Sequence, residues 1–187
     1  MAEQDNGAYA KNKAWGEQKE HEAADILESV YPELMIRRTD ITGKVIPYEQ
    51  MRTMPSQPNL QIFHQNDSQL PPIIAWCEST RRTLPELAAY FGGMYVKLKT
   101  LNAMQPAHYL LKPCINIIDD RINDIIAIKK PDMAHLSTID QSRFAGSVGK
   151  GWNARVAVAR YSRLYENGQR TADTFLEALL ATTEPSN

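Results

Sequence analysis

The sequence predicts a mixed α/β fold, with a small central mixed sheet, flanking helices and a helical C-terminal part. Three observations predict it. A helical period opens the chain and is cut by Pro32. Two short β-branched and aromatic runs, 60–64 and 73–78, flank a loop of turn residues. The strand candidates that follow do not alternate with helices in regular βαβ repeats. A chain of 187 residues is one domain, long enough to bury a sizeable core.

The first helix is expected from about Tyr9 to Tyr31, with Ala23, Leu27, Val30 and Tyr31 at helical spacing and Ile26 beside them. Leu34–Thr39 reads as a short strand and Asp40–Gly43 as a turn. Residues 44–58 hold Pro47, Pro55 and Pro58 without a clean period and read mostly as loop. Leu60–His64 alternates apolar and polar residues. Ile73–Glu78 is a β-branched, aromatic run behind Pro71-Pro72. Together they predict a hairpin whose second strand is buried.

Leu84–Phe91 predicts a helix, with Thr83 as N-cap, Pro85 in the first turn and Gly92-Gly93 as the stop. Tyr95–Leu98 and His108–Lys112 are strand candidates. Ile118, Ile122, Ile125 and Ile126 fit an amphipathic helix from near Asp119 to before Pro131, although so many isoleucines also suit a strand. After the glycine-rich turn Gly146-Ser-Val-Gly-Lys-Gly151, a helix is expected from Trp152 to about Tyr165, stopped by Asn167-Gly168. A last helix is expected from Thr171 to Ala181. The organisation is therefore a disordered N-terminus at 1–8, an α/β core at 9–130, a helical extension of the same domain at 131–181, and a disordered tail at 182–187.

Composition excludes several classes. With 21 basic and 22 acidic residues, the net charge of −1 fits neither a histone-like polycation nor a disordered polyacid. Cys77 and Cys114 are too few for a disulfide framework or a four-cysteine zinc site, and no histidine spacing supplies the rest of one. No apolar run approaches a membrane span, and the polar stretch Met1–Lys13 has no secretory h-region, so an intracellular protein without membrane contact is expected. The charge is uneven. Residues 1–34 carry eight acids against three bases. Residues 142–170 carry Arg143, Lys150, Arg155, Arg160, Arg163 and Arg170 against Glu166 alone. Such asymmetry points to an anionic partner for the basic end, against the plainer reading of a solvated face or of the two ends packing together.

Certain residues stand out chemically. Glu20 lies seven residues before Leu27, so it points along the apolar face of the first helix, where a carboxylate needs a partner or a metal. Glu78 closes the most apolar strand and is followed by Arg81-Arg82, a pair suited to clamping a phosphate. Asn59 follows Pro58 at the start of the hairpin. The glycine-rich turn at 146–151 does not match a Walker pattern, but its backbone amides could cradle a phosphate. Arg155, Arg160 and Arg163 follow it, with Trp152, Tyr161 and Tyr165 between and beside them. Such side chains grip phosphates and stack bases.

The order helix, strand, short hairpin, helix, strand over roughly residues 9–112 resembles the core of the PD-(D/E)XK nuclease-like superfamily. The residues that carry the resemblance are Glu20 on the first helix, Pro58-Asn59 before Leu-Gln-Ile-Phe, and Glu78-Ser79-Thr80 closing Ile-Ile-Ala-Trp-Cys. The resemblance implies a phosphodiester hydrolase, an endonuclease holding Mg²⁺ or Mn²⁺ on Glu78, Asn59 and Glu20, which would be both its catalytic and its metal-binding residues. DNA or RNA would be gripped by Arg81, Arg82, Lys150, Arg155, Arg160 and Arg163. Two departures bear on activity. Asn59 stands where the family has Asp, and Thr80 where it has Lys. Arg81, Arg82, Lys97 or Lys99 would have to supply the missing positive charge. Without activity the same scaffold implies a degenerate, cofactor-free binding relative. The alternative is a structural, adaptor or inhibitor protein acting through protein contacts, and either reading admits a homo-oligomer.

Overall fold

The computed structural model describes residues 3–39, 57–91, 94–105, 108–130, 133–138 and 155–183. The first helix, α1 (Glu3–Val30), already begins at Glu3. Ala23, Leu27 and Tyr31 recur every fourth residue and are all buried. The helix ends as expected, because Pro32 cannot continue it. The chain then enters β1 (Leu34–Arg38), β2 (Leu60–His64) and β3 (Ile73–Cys77), an antiparallel meander with Ile36 opposite Ile62 and Leu60 opposite Ala75. The expected hairpin is present, and β3 is central. Ile73 and Ile74 are only half-buried, and the burial falls on Ala75, Trp76 and Cys77.

Next come α2 (Leu84–Phe91), β4 (Met94–Lys97) and α3 (Leu98–Ala103). Thr83 and Glu86 cap α2 reciprocally: the Thr83 amide donates to Glu86 and the Glu86 amide to the Thr83 hydroxyl. The crossover then delivers β5 (Tyr109–Ile115) parallel to β3, with Trp76 opposite Leu110. β6 (Ile122–Lys129) returns antiparallel to β5.

The segment after Asp119 is therefore a strand, not a helix. Ile125 and Ala127 face one core and Ile126 and Ile128 the other. A strand buried on both faces shows no alternation, and its isoleucines happen to fall at helical intervals. Ile118 lies outside it, in a turn, 95% exposed.

The expected helix at 152–165 is also absent. The described part forms β8 (Arg155–Ala159) and β9 (Tyr161–Glu166), preceded by β7 (Met133–Thr138). Along β9, Ser162 and Leu164 are buried while Arg163 and Tyr165 are half-exposed, a period of two. Asn167 (φ 49°) and Gly168 (φ 92°) do not stop a helix. They form the two-residue turn from β9 into β10 (Gln169–Arg170), a turn that requires positive φ at both positions. The last helix is shorter than expected, α4 (Phe175–Leu180), and β11 (Thr182–Thr183) pairs with β9. The C-terminal part is thus mainly strand among the described residues. The glycine-rich turn at 146–151, Trp152 and the prolines of 44–56 lie outside them.

The main sheet has the order β1-β2-β3-β5-β6-β9-β10, with β11 also on β9, and a smaller sheet runs β4-β8-β7. One face of the main sheet packs under α1 and α4 through Leu27, Tyr31, Leu60, Ile62, Leu111, Ile125, Leu164 and Phe175. The other packs against α2, β4 and α3 through Trp76, Leu87, Val96, Leu101, Leu110 and Ile126.

Candidate functional site

Glu20 meets Asn59 where β2 begins, and Glu78 follows Cys77, the backbone partner of Asn59, where β3 ends. Asn59 precedes β2 by one residue and is already held in the sheet, its amide donating to the Ala75 carbonyl at 3.2 Å. Its side chain continues the pairing. Oδ1 accepts from the Cys77 amide at 2.7 Å, and Nδ2 donates to the Cys77 carbonyl at 3.3 Å. Nδ2 also donates to Glu20 Oε2 at 2.8 Å. These partners fix which end of the amide is which, because the reversed amide would put its oxygen against the Cys77 carbonyl and a carboxylate.

Each carboxylate lies beside a cation. Glu20, whose side chain is 16% exposed, has the Arg38 guanidinium from the end of β1 at 3.9 Å. Glu78, 18% exposed, has Lys97 Nζ at 3.6 Å and accepts from the Thr100 hydroxyl at 2.6 Å. Lys97 ends β4 and Thr100 opens α3, so the crossover between the parallel strands supplies both. Lys112, on β5 and only 1% exposed, adds a third cation. Its ammonium donates to the Tyr95 carbonyl at 3.1 Å and sits 3.2 Å over the Tyr95 ring.

The electrostatics tie these groups into one network. Burial alone would raise the Glu78 carboxyl, but Lys97, Lys112 and the Thr100 hydroxyl outweigh it and hold that carboxyl below the usual glutamate range. Lys97 is raised, chiefly by Glu78, with Tyr95 and Glu20 adding to the effect. The Cys77 thiol beneath them is pushed well up, first by burial and then by Glu20 and Glu78. Burial pushes Cys114 up to about 12. Both thiols are buried and free, so neither is a nucleophile.

The Mg²⁺ or Mn²⁺ that the nuclease resemblance implies does not fit the residues as they stand. Hard cations need oxygen ligands with free lone pairs and excess negative charge. Here Asn59 Oδ1 accepts from the Cys77 amide, Glu20 Oε2 from Asn59, and Glu78 Oε1 from Thr100, so each would meet a metal ion with one lone pair already engaged. Arg38, Lys97 and Lys112 outnumber the two carboxylates. Among the described residues, no group of three His, Cys, Asp or Glu side chains is placed to hold a metal ion. Thr80 is buried, bridges to Cys114, and accepts from the Arg82 amide, so that position serves the sheet.

The basic residues divide. Arg81 is exposed and stacks 4.3 Å over Trp15, which lies five residues before Glu20 on α1. Arg82 is half-buried beside it. Arg155 opens β8, one residue from Val156, which pairs with Lys97. Arg160 is exposed at the bend into β9. Arg163 pairs with Glu166 and pulls back the burial-raised Asp124, so it serves the sheet rather than the site. Lys150 lies outside the described residues.

Arg38, Thr100 and Lys112 escaped the sequence reading. Only Lys112 carried a signal, a lone cation inside the apolar run Tyr109-Leu-Leu-Lys-Pro-Cys-Ile. Comparison of the chain with protein-family models, curated proteins and solved structures finds no match.

Proposed function

We propose that this chain is a nucleic-acid-associated protein with a PD-(D/E)XK nuclease-like core, and that the core is a catalytically degenerate one that binds rather than cuts. The path from α1 through the β1-β2-β3 meander and a helical crossover to a parallel strand supports the nuclease-like core. One observation carries the degenerate reading. The Asn59 amide is spent at both ends on Cys77 and Glu20, beside carboxylates that Arg38 and Lys97 already balance. Metal-assisted hydrolysis needs an open coordination position and a water of lowered pKa, and a cation beside each carboxylate works against both. The stacked Arg81 and Trp15, with Arg82 next in the chain, supply the types of group that hold a phosphate and a base.

The test is a salt-dependent shift of labelled DNA and RNA, with and without Mn²⁺. Binding should weaken as salt rises, and Arg155→Glu with Arg160→Glu should flatten that dependence, each lost phosphate contact on duplex DNA removing about 0.9 from the slope. No cleaved product should form. Cleavage with Mn²⁺ would overturn degeneracy, and absence of binding at low salt would overturn the nucleic-acid reading.

A second reading, an adaptor or inhibitor acting through protein contacts, is favoured by one observation. Arg163 and Arg170 are paired with Glu166 and Asp173, which reduces the charge the basic end offers to a polyanion.

A further inference from the structure

We infer that Lys97 is the resident cation of Glu78: its ammonium group neutralises that carboxylate in place of a metal ion, as Arg38 does for Glu20, and closes the site to divalent cations. The inference extends the degenerate-core reading, and its test involves no nucleic acid, so the two fail separately.

The geometry supports it in three steps. Lys97 Nζ lies 3.6 Å from Glu78 Oε2. A divalent ion drawn to Glu78 would therefore meet a like charge at contact distance. Second, Lys97 is the removable member of the set. Its side chain is 43% exposed, whereas Lys112 is fully buried and tied to the Tyr95 carbonyl, and Arg38 is mostly covered. Third, Lys97 belongs to the crossover and not to the strands that hold Asn59 and Glu78. Its charge can therefore be deleted without disturbing the sheet pairing that brings those two residues together. Asn59 is the complementary element. Its neutral amide accepts the Cys77 amide while leaving the charge balance to Lys97, and a carboxylate there would restore the negative excess a hard cation needs.

The experiment is a Mn²⁺ titration, followed by calorimetry and by thermal melting, of the wild-type chain, Asn59→Asp, Asn59→Asp with Lys97→Met, and Asn59→Asp with Lys97→Arg. The wild-type chain should show no saturable binding. Removing Lys97 from the Asn59→Asp background should tighten Mn²⁺ binding by about tenfold or more, equivalent to about 1.4 kcal/mol. The melting temperature of that variant should rise with Mn²⁺, because a ligand bound only by the native state stabilises it. Lys97→Arg keeps the cation and should bind no better than Asn59→Asp alone, a distinction that loss of packing would not produce. If the Lys97→Met double variant is unfolded without metal, recovery of its native circular dichroism on adding Mn²⁺ supports the inference, and failure to recover overturns it. Wild-type binding as tight as the double variant's, or equal binding by the Lys97→Met and Lys97→Arg variants, also overturns it.

Discussion

Asn59→Asp in the absence of metal tests the arrangement at its centre. The substitution preserves shape, so packing is unchanged and electrostatics decides the result. Two effects add. The bond from Nδ2 to Glu20, 2.8 Å long and charge-assisted, is lost, which costs about 1.5–3 kcal/mol. The new carboxylate also faces Glu20, which is mostly covered. Two like charges about 4 Å apart repel by about 4 kcal/mol at an effective dielectric of about 20. The pair can escape part of this by sharing a proton, at about 1.4 kcal/mol for each unit of pKa. A net destabilisation of about 2–5 kcal/mol near pH 7 follows. The pH dependence has a definite sign. The introduced carboxyl has a folded-state pKa above its unfolded value of about 3.9, so the protonated form is favoured in the native state. The deficit is therefore full above the folded-state pKa and shrinks as pH falls toward the unfolded value. Urea unfolding of both proteins at neutral and mildly acid pH measures it, with the slope m unchanged. A loss below about 0.5 kcal/mol near pH 7, or one that does not shrink in acid, would refute the assignment of Asn59 as a donor to Glu20.

Two further outcomes are expected. Glu78 is held below the glutamate range in the native state, so it contributes stability that is present above about pH 4.3 and lost as pH falls through its lower folded value. Glu78→Gln should be less stable than wild type near about pH 7, with the difference closing in acid; parallel stability curves would refute the ion pairing with Lys97. Thr174 caps α4, its hydroxyl accepting from the Glu177 amide while Glu177 reaches back to the Thr174 amide. Thr174→Ala should cost about 1 kcal/mol and speed amide exchange at Ala178 and Ala181, measured by hydrogen exchange.

The first half of the fold was legible because each of its strands carries its own punctuation. Pro32 ends α1, and Pro71-Pro72 and Glu78 bracket β3, so local signals and tertiary pairing agree. The second half was not legible, because β6 is buried on both faces and period was the wrong guide there. At 152–165 the spacing of Trp152, Val156, Ala159 and Arg163 imitated a helical stripe, while the informative pair was Asn167-Gly168, a hairpin turn signal read as a helix stop. In the site, Glu20 was visible from its place on the apolar face of α1, and Asn59 and Glu78 because they stand at the ends of the hairpin strands. The cations were harder. Lys97 and Thr100 reach Glu78 only through the crossover between two parallel strands, and Arg38 reaches Glu20 only because β1 pairs with β2. Such proximity is a property of topology and leaves no spacing in the chain.

The closing of β9 and α4 on the end of α1 constrains how the protein is made. The Tyr31 hydroxyl donates to the Leu164 carbonyl and accepts from the Thr171 amide, its ring meets Phe175 edge-on, and the neighbouring Glu33 carboxylate accepts from the Phe175 amide. These contacts span 133 to 144 residues. During synthesis, the helix that carries Glu20 emerges long before α4, and Tyr31 and Glu33 wait for these partners. Until then Leu27 and Tyr31 present an apolar surface with no cover from α4, a state open to chaperones and to self-association. The same helix carries Glu20 to Asn59, so the site and this late closure share one element.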